Sequence, residues 1–83
     1  MQLWVPEEYG GPGGDLTSVC MAREEISRVS EACALIAGMN SIGVILPLLH
    51  FGTEEQKRRW LPEVAKGRTW TAVAMTEPES GSD

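Results

Sequence analysis

The chain has 83 residues, 42% hydrophobic and 23% charged, with three Trp, one Tyr and one Phe; that is too apolar for a disordered tail, and a domain so short buries only about 60–65% of its unfolded surface on folding. Seven Lys and Arg against twelve Asp and Glu give a net charge of −5, which excludes the basic field that sequence-independent binding to nucleic acid requires. The opening MQLWVPEEYGG has no basic stretch leading into an apolar core, so no secretory signal is read and a cytoplasmic location is expected.

In chain order, GGPGG at 10–14 follows no strand pattern and reads as a turn rather than a phosphate loop. Asp15 is placed to N-cap a helix starting at Leu16. Val19, Ala22, Ile26, Val29, Cys33 and Ile36 recur at steps of three and four, which predicts one long amphipathic helix over 16–36 with Glu24, Glu25, Arg28 and Glu31 mostly on its wet face. Glu24 stands four residues before Arg28, the favourable order for an ion pair. Cys20 and Cys33 lie in apolar helical contexts without CxxC spacing or a second His, so they read as buried thiols in a reducing compartment and not as metal ligands.

Residues 32–53 carry no formal charge, and 21 of them, ACALIAGMNSIGVILPLLHFG, are long enough to cross a bilayer at about 1.5 Å per residue. Gly38, Asn40, Ser41, Gly43, Pro47 and His50 argue against a span. A break at 38–41 is predicted, which splits the run into two segments too short to cross and leaves a pair of buried core helices, the second over 41–51 with Pro47 kinking it and Gly52 as its C′ stop. Thr53-Glu-Glu-Gln56 fits a capping box and opens a third helix. Glu54 with Arg58 and Glu55 with Arg59 pair at i, i+4 and neutralise the cluster Lys57, Arg58 and Arg59. Trp60, Leu61 and Val64 form its apolar side, Pro62 disturbs it and Gly67 ends it. From Thr69 the pattern changes: a strand is expected over 70–75, running into TEPESGSD, and its ladder partners lie outside these residues because one strand cannot satisfy its own backbone.

Few residues carry chemistry. His50 sits in an apolar segment with no carboxylate near it in sequence and reads as a hydrogen-bonded helix-end histidine. Glu77, Glu79 and Asp83 lack the spacing of a calcium loop and no metal site is read. The best ligand site is the loop after the strand: Thr76, Ser80 and Ser82 offer hydroxyls and a turn at Gly81 presents backbone amides to a polar or anionic group, provided that Glu77, Glu79 and Asp83 point away or bond the loop's own backbone.

VPEEYGG (5–11), LHFGTEEQKRRWLP (49–62) and MTEPESGSD (75–83), in this order and spacing, resemble the acyl-CoA dehydrogenases, and the resemblance covers essentially the whole chain. It implies a mainly α chain: residues 1–68 as the latter part of a helical N-terminal domain and 69–83 as the first strand and flavin-contacting loop of a middle β-barrel domain that is otherwise absent. It further implies FAD as cofactor, oxidation of an acyl-CoA thioester to the trans-2-enoyl-CoA in acyl-CoA catabolism, an electron-transfer flavoprotein as acceptor, and a homotetramer, in the mitochondrial matrix if the source is eukaryotic. Carried over by motif, Val73, Ala74, Met75, Thr76, Glu77, Pro78, Glu79, Ser80, Gly81 and Ser82 are the cofactor-binding segment, with the Thr76 hydroxyl and nearby backbone on the polar edge of the isoalloxazine. Ser82 matches the serine that meets both the pyrophosphate and the pantetheine arm of the substrate. Met75 stands where Leu is usual and Ser80 where Ala is usual. No residue matches the family's catalytic glutamate, so the chain reads as a fragment that is inactive alone. Acyl-CoA oxidases and flavin monooxygenases of the same fold share these motifs, and a non-catalytic helical interaction module is the third reading.

Overall fold

The computed structural model describes residues 3–82. It is mainly helical: a 3₁₀ turn at Glu7–Tyr9, α1 at Leu16–Ser27, α2 at Glu31–Met39, a π-helical segment at Asn40–Ile45, α3 at Leu46–Phe51 and α4 at Glu54–Ala65. The side-chain caps expected from the sequence form. Asp15 Oδ1 accepts the Ser18 amide at 2.8 Å and the Ser18 hydroxyl at 2.7 Å, and these bonds hold the Asp15 carboxyl below its ordinary pKa, the backbone donor contributing most. At the head of α4 the capping box is complete, with Gln56 N–H donating to Thr53 Oγ1 at 3.2 Å and Thr53 N–H to Gln56 Oε1 at 2.9 Å. The tail of α4 closes in a Schellman motif: Gly67 N–H reaches Val64 O and Arg68 N–H reaches Glu63 O, both at 3.0 Å, with Gly67 at φ +66°.

Two helix boundaries differ from the periodicity. The predicted helix over 16–36 is interrupted at residues 28–30, where the amides of Val29 and Ser30 both turn back onto Ile26 O and the Ser30 hydroxyl caps α2 by accepting the Cys33 amide at 3.3 Å. A serine followed by a glutamate is a helix start as well as a helix interior, and here the local cap prevails over the stripe. The stripe is consequently lost: Val29 is 91% exposed, Ile36 is half-exposed, and Cys20 and Cys33, expected buried, are both exposed free thiols. Arg28 meets Glu25 at 3.8 Å in place of Glu24.

Conversely, the break expected at 38–41 does not occur. α2, the π segment and α3 run as one helix, Glu31–Phe51, of 21 residues, long and apolar enough to cross a membrane by length and composition. The π turn is where Pro47 is accommodated. Proline offers no amide to the carbonyl four residues back, that of Gly43, and its ring would crowd that oxygen; instead Leu46 N–H bonds Ser41 O five residues back, the wide spacing that defines a π bulge. Ser41, buried, donates its hydroxyl to Ala37 O at 3.2 Å, so a polar side chain inside the helix is satisfied without breaking it. Gly52 ends the run at φ −71°, not in the left-handed region expected of a C′ glycine, and its amide donates to Leu48 O at 2.9 Å.

This long helix is shared between two packing sites. Its first part packs on α1, and Ala34 and Ala37 are buried there with Val19; the Arg23 side chain lies over Gly38, close enough that a Cβ at that position would stand 2.6 Å from its Cζ. Its last part packs on α4, where Ile45, Leu61, Val64, Val5 and Tyr9 form the main core with Trp4, Leu48, Leu49 and Ala65 against it. The glycine-rich entry folds back on the start of the chain through Gly13 N–H to Val5 O and Gly14 N–H to Leu3 O. Tyr9 fixes this entry to α4 by donating its hydroxyl to the Glu54 carboxylate at 3.1 Å, and Glu54 also holds Arg58 at 2.9 Å as expected. Arg59, expected to pair with Glu55, instead lies over the Trp60 ring at 4.7 Å, a cation–π contact. α4 continues through Pro62.

Candidate functional site

Residues 69–82 leave α4 and return to the long helix. Trp70 and Thr71 form one wall of a cleft completed by Leu35, Ile36, Met39 and Asn40, and Trp70 also borders a second cleft with Ile26, Cys33 and Ala37. Asn40, buried at the start of the π turn, accepts the Thr71 hydroxyl on Oδ1. Two residues on, Val73 packs against Gly43 so closely that a Cβ there would overlap a Val73 methyl. These two contacts set where the segment lies. The strand expected over 70–75 does not form: among the described residues this stretch makes no ladder, and the single bridge in the structure is between Glu77 and Ser80. A ladder needs a neighbouring strand to exchange hydrogen bonds with, and the other described residues are helix, turn and irregular chain.

Beyond Val73 the candidate loop projects away from the helices. Ala74, Met75, Thr76, Glu77, Pro78 and Glu79 are exposed, Ser80 is half-buried, and Gly81 and Ser82 are exposed again. Glu77 and Ser80 exchange backbone bonds, Glu77 N–H to Ser80 O at 2.8 Å and Ser80 N–H to Glu77 O at 3.2 Å, so Pro78 and Glu79 form the tip of a tight turn. Proline at the first tip position presets the φ that such turns need. The structure brings Glu77 and Ser80 together within one turn, with Thr76 exposed before it and Ser82 exposed after it. Asp83 lies outside the described residues. His50 is exposed in the last turn of α3, its ring beside that of Phe51 at 6.3 Å between centroids.

The loop offers the Thr76 and Ser82 hydroxyls and a closed Glu77–Ser80 backbone turn to a polar group, on a segment whose root is fixed to a helix.

Over residues 1–68 the chain matches the family described as acyl-CoA dehydrogenase, N-terminal domain. The chain belongs to the acyl-CoA dehydrogenase family. An acyl-CoA dehydrogenase of Bacillus subtilis is 46% identical over 83 residues, all of this chain and 22% of the relative. A mitochondrial isovaleryl-CoA dehydrogenase of Solanum tuberosum is 46% identical over 81 residues, 98% of this chain and 20% of the relative. A probable acyl-CoA dehydrogenase of Mycobacterium leprae is 40% identical over 81 residues, 98% of the chain and 21% of the relative. The chain thus spans about a fifth of the length of these acyl-CoA dehydrogenases. No solved structure gives a significant match. The family is one of oxidoreductases, and its members act on acyl-CoA.

The residues that sequence reasoning missed are Asn40, Gly43 and Thr71. Their signal was a pair of polar residues, Asn40 and Ser41, in the middle of an apolar helix. From sequence alone that pattern predicts a break in the helix, whereas in the structure Asn40 receives another segment.

Proposed function

We propose that this chain is part of an FAD-dependent acyl-CoA dehydrogenase that oxidises an acyl-CoA thioester to the trans-2-enoyl-CoA, and that it is inactive alone. The observation that carries the reading is an N-terminal-domain match over 1–68 followed by the sequence TEPESGSD, whose described residues 76–82 form a mostly exposed turn on a segment rooted on the long helix. In this reading residues 69–83 open the middle domain and the 31–51 helix is a core helix of the N-terminal one. The large exposed apolar side chains Val29, Phe51, Trp70 and Met75 then face the remainder of the enzyme, which accounts for them.

FAD, when bound, accepts the two electrons that leave the substrate. The Thr76 hydroxyl and the backbone beside it hold the polar edge of the ring system, and the closed Glu77–Ser80 turn keeps that backbone from rearranging. Ser82 meets the pyrophosphate and the pantetheine arm. Glu77 and Glu79 are not assigned as the base that removes the α proton: both stand exposed on the turn, where water competes for the carboxylate. An electron-transfer flavoprotein takes the electrons onward, and the complete enzyme is a homo-oligomer.

The test uses the complete reading frame that contains these residues. Purified with FAD, the full-length protein bleaches its flavin absorbance on anaerobic addition of acyl-CoA, whereas the 83-residue chain supplied with both does not. Absence of bound flavin in the full-length protein, or robust bleaching by the 83-residue chain, refutes the reading.

A further inference from the structure

We propose that Asn40 is a positioning residue for the cofactor loop: with Gly43 it registers residues 71–73 on the π-helical turn and so sets where Thr76–Ser82 stands. The cofactor part of this inference rests on the function proposed above.

Four observations lead to it. Asn40 is 8% exposed in a 21-residue apolar helix, a placement that costs free energy unless its amide is bonded, and the bond it makes is to Thr71, 31 residues away in sequence. The second contact joins the same two segments at another point: Val73 lies against Gly43, three residues beyond Asn40 in the π turn and two beyond Thr71 in the returning segment; the pairs 40–71 and 43–73 therefore fix both a position and a direction, which one contact does not. Third, Gly43 is the residue whose carbonyl Pro47 leaves without its usual donor, so its place within the π turn and its lack of a Cβ serve the same junction. Fourth, only Ala74 and Met75 separate Val73 from Thr76, so the latch lies immediately before the proposed flavin contacts.

Thr71→Val keeps the shape of the side chain and removes the hydroxyl; Thr71→Ser keeps the hydroxyl. In the 83-residue chain the measured quantities are the nuclear Overhauser contact between the Val73 methyls and the Gly43 α protons, and the backbone order parameters of residues 70–74. Thr71→Val loses the contact and drops the order parameters from about 0.85 to below about 0.6, α4 being unchanged; Thr71→Ser retains both. Should Thr71→Val abolish the helical circular-dichroism signal, Asn40→Ala removes the same bond from the other side. In the full-length flavoprotein Thr71→Val weakens FAD binding about tenfold, the size expected for stranding a buried amide, and alters the shape of the flavin absorption band, while Thr71→Ser restores both. An intact Val73–Gly43 contact in Thr71→Val overturns the latch. A lost contact with unchanged FAD affinity and spectrum overturns the positioning role. A wild-type full-length protein without FAD refutes the proposed function and the cofactor part of this inference together, while the magnetic-resonance arm still decides the latch.

Discussion

Leu61→Ala probes the core that holds the long helix to α4. Leu61 is fully buried and is surrounded by Ile45 from the π turn, Val5 and Tyr9 from the entry segment and Val64 from its own helix. Truncation to alanine removes three buried carbons, about 2.4 kcal/mol at about 0.8 kcal/mol each. A cavity cost adds to this wherever the walls cannot close in, and measured Leu→Ala losses run from about 2.7 to 5 kcal/mol. Here the walls come from three separate segments, two of them fixed by the Tyr9–Glu54 and Thr53–Gln56 bonds, so collapse is hindered and a loss of about 3–4 kcal/mol is expected. A domain of this size has only about 4–12 kcal/mol to lose, so the midpoint of thermal unfolding followed by circular dichroism falls by roughly 15–25 °C. The control is Leu35→Ala, at a side chain 53% exposed beside Trp70, for which less than about 1.5 kcal/mol is expected. Equal losses for the two variants would refute the placement of the core between α4 and the π turn.

Thr53→Ala removes the half of the capping box in which the Thr53 hydroxyl accepts the Gln56 amide, leaving the backbone N–H of residue 53 on Gln56 Oε1, and lowers stability by about 1 kcal/mol, read as a fall in the urea midpoint with an unchanged slope. Gly67→Ala forces a side chain into φ +66° and costs about 1 kcal/mol, measured the same way; an unchanged midpoint would mean that the Schellman turn does not form. The Asp15 carboxyl is held below its ordinary pKa by its bonds to Ser18, so its stabilising effect is present above the ordinary carboxylate pKa and disappears as pH falls through the lowered folded value; Asp15→Asn flattens the acid limb of a stability–pH profile. Tyr9 has the opposite sense. Burial and then the Glu54 carboxylate raise its phenol pKa, so its contribution is complete below the ordinary phenol value and is lost as pH rises through the raised one; a spectrophotometric titration of the tyrosinate, to which Tyr9 is the sole contributor, shows a midpoint above the ordinary phenol range, and an ordinary midpoint refutes the Tyr9–Glu54 bond.

What was legible in the sequence was local. Asp15, Thr53 with Gln56, Gly67 and the Glu54–Arg58 pair each act within four residues of themselves, so residue type and spacing decide the outcome and the structure repeats them. What misled was a competition between a local and a longer-range signal. The apolar stripe over 16–36 favoured one helix, while Ser30 favoured a new start. The cap prevailed, and the side chains of Val29, Cys33 and Ile36 left the stripe as a result. At 38–41 the competition ran the other way: Gly38, Asn40 and Ser41 favoured a break, but Ser41 bonded Ala37 O and Asn40 bonded Thr71, so the polar groups found partners without the helix ending.

The loop 74–82 shows where such reading stops. That a turn stands here is legible from Pro78, but its place is not: the tight turn closes between Glu77 and Ser80, and Gly81, expected to carry it, lies just beyond and is not among the glycines at positive φ. The location of the loop was not legible either, because the contacts that place it join positions 31 and 30 residues apart and one of their partners is a glycine, which carries no side-chain signal at all. A π turn adds one residue to a helix and thereby shifts every later side chain by about 100° around the axis; no 3.6-residue periodicity carries across it. An observer reading only the apolar pattern therefore meets the π turn as noise in the stripe, although it is the one place where Asn40, Gly43 and Pro47 each have a physical reason to stand where they do.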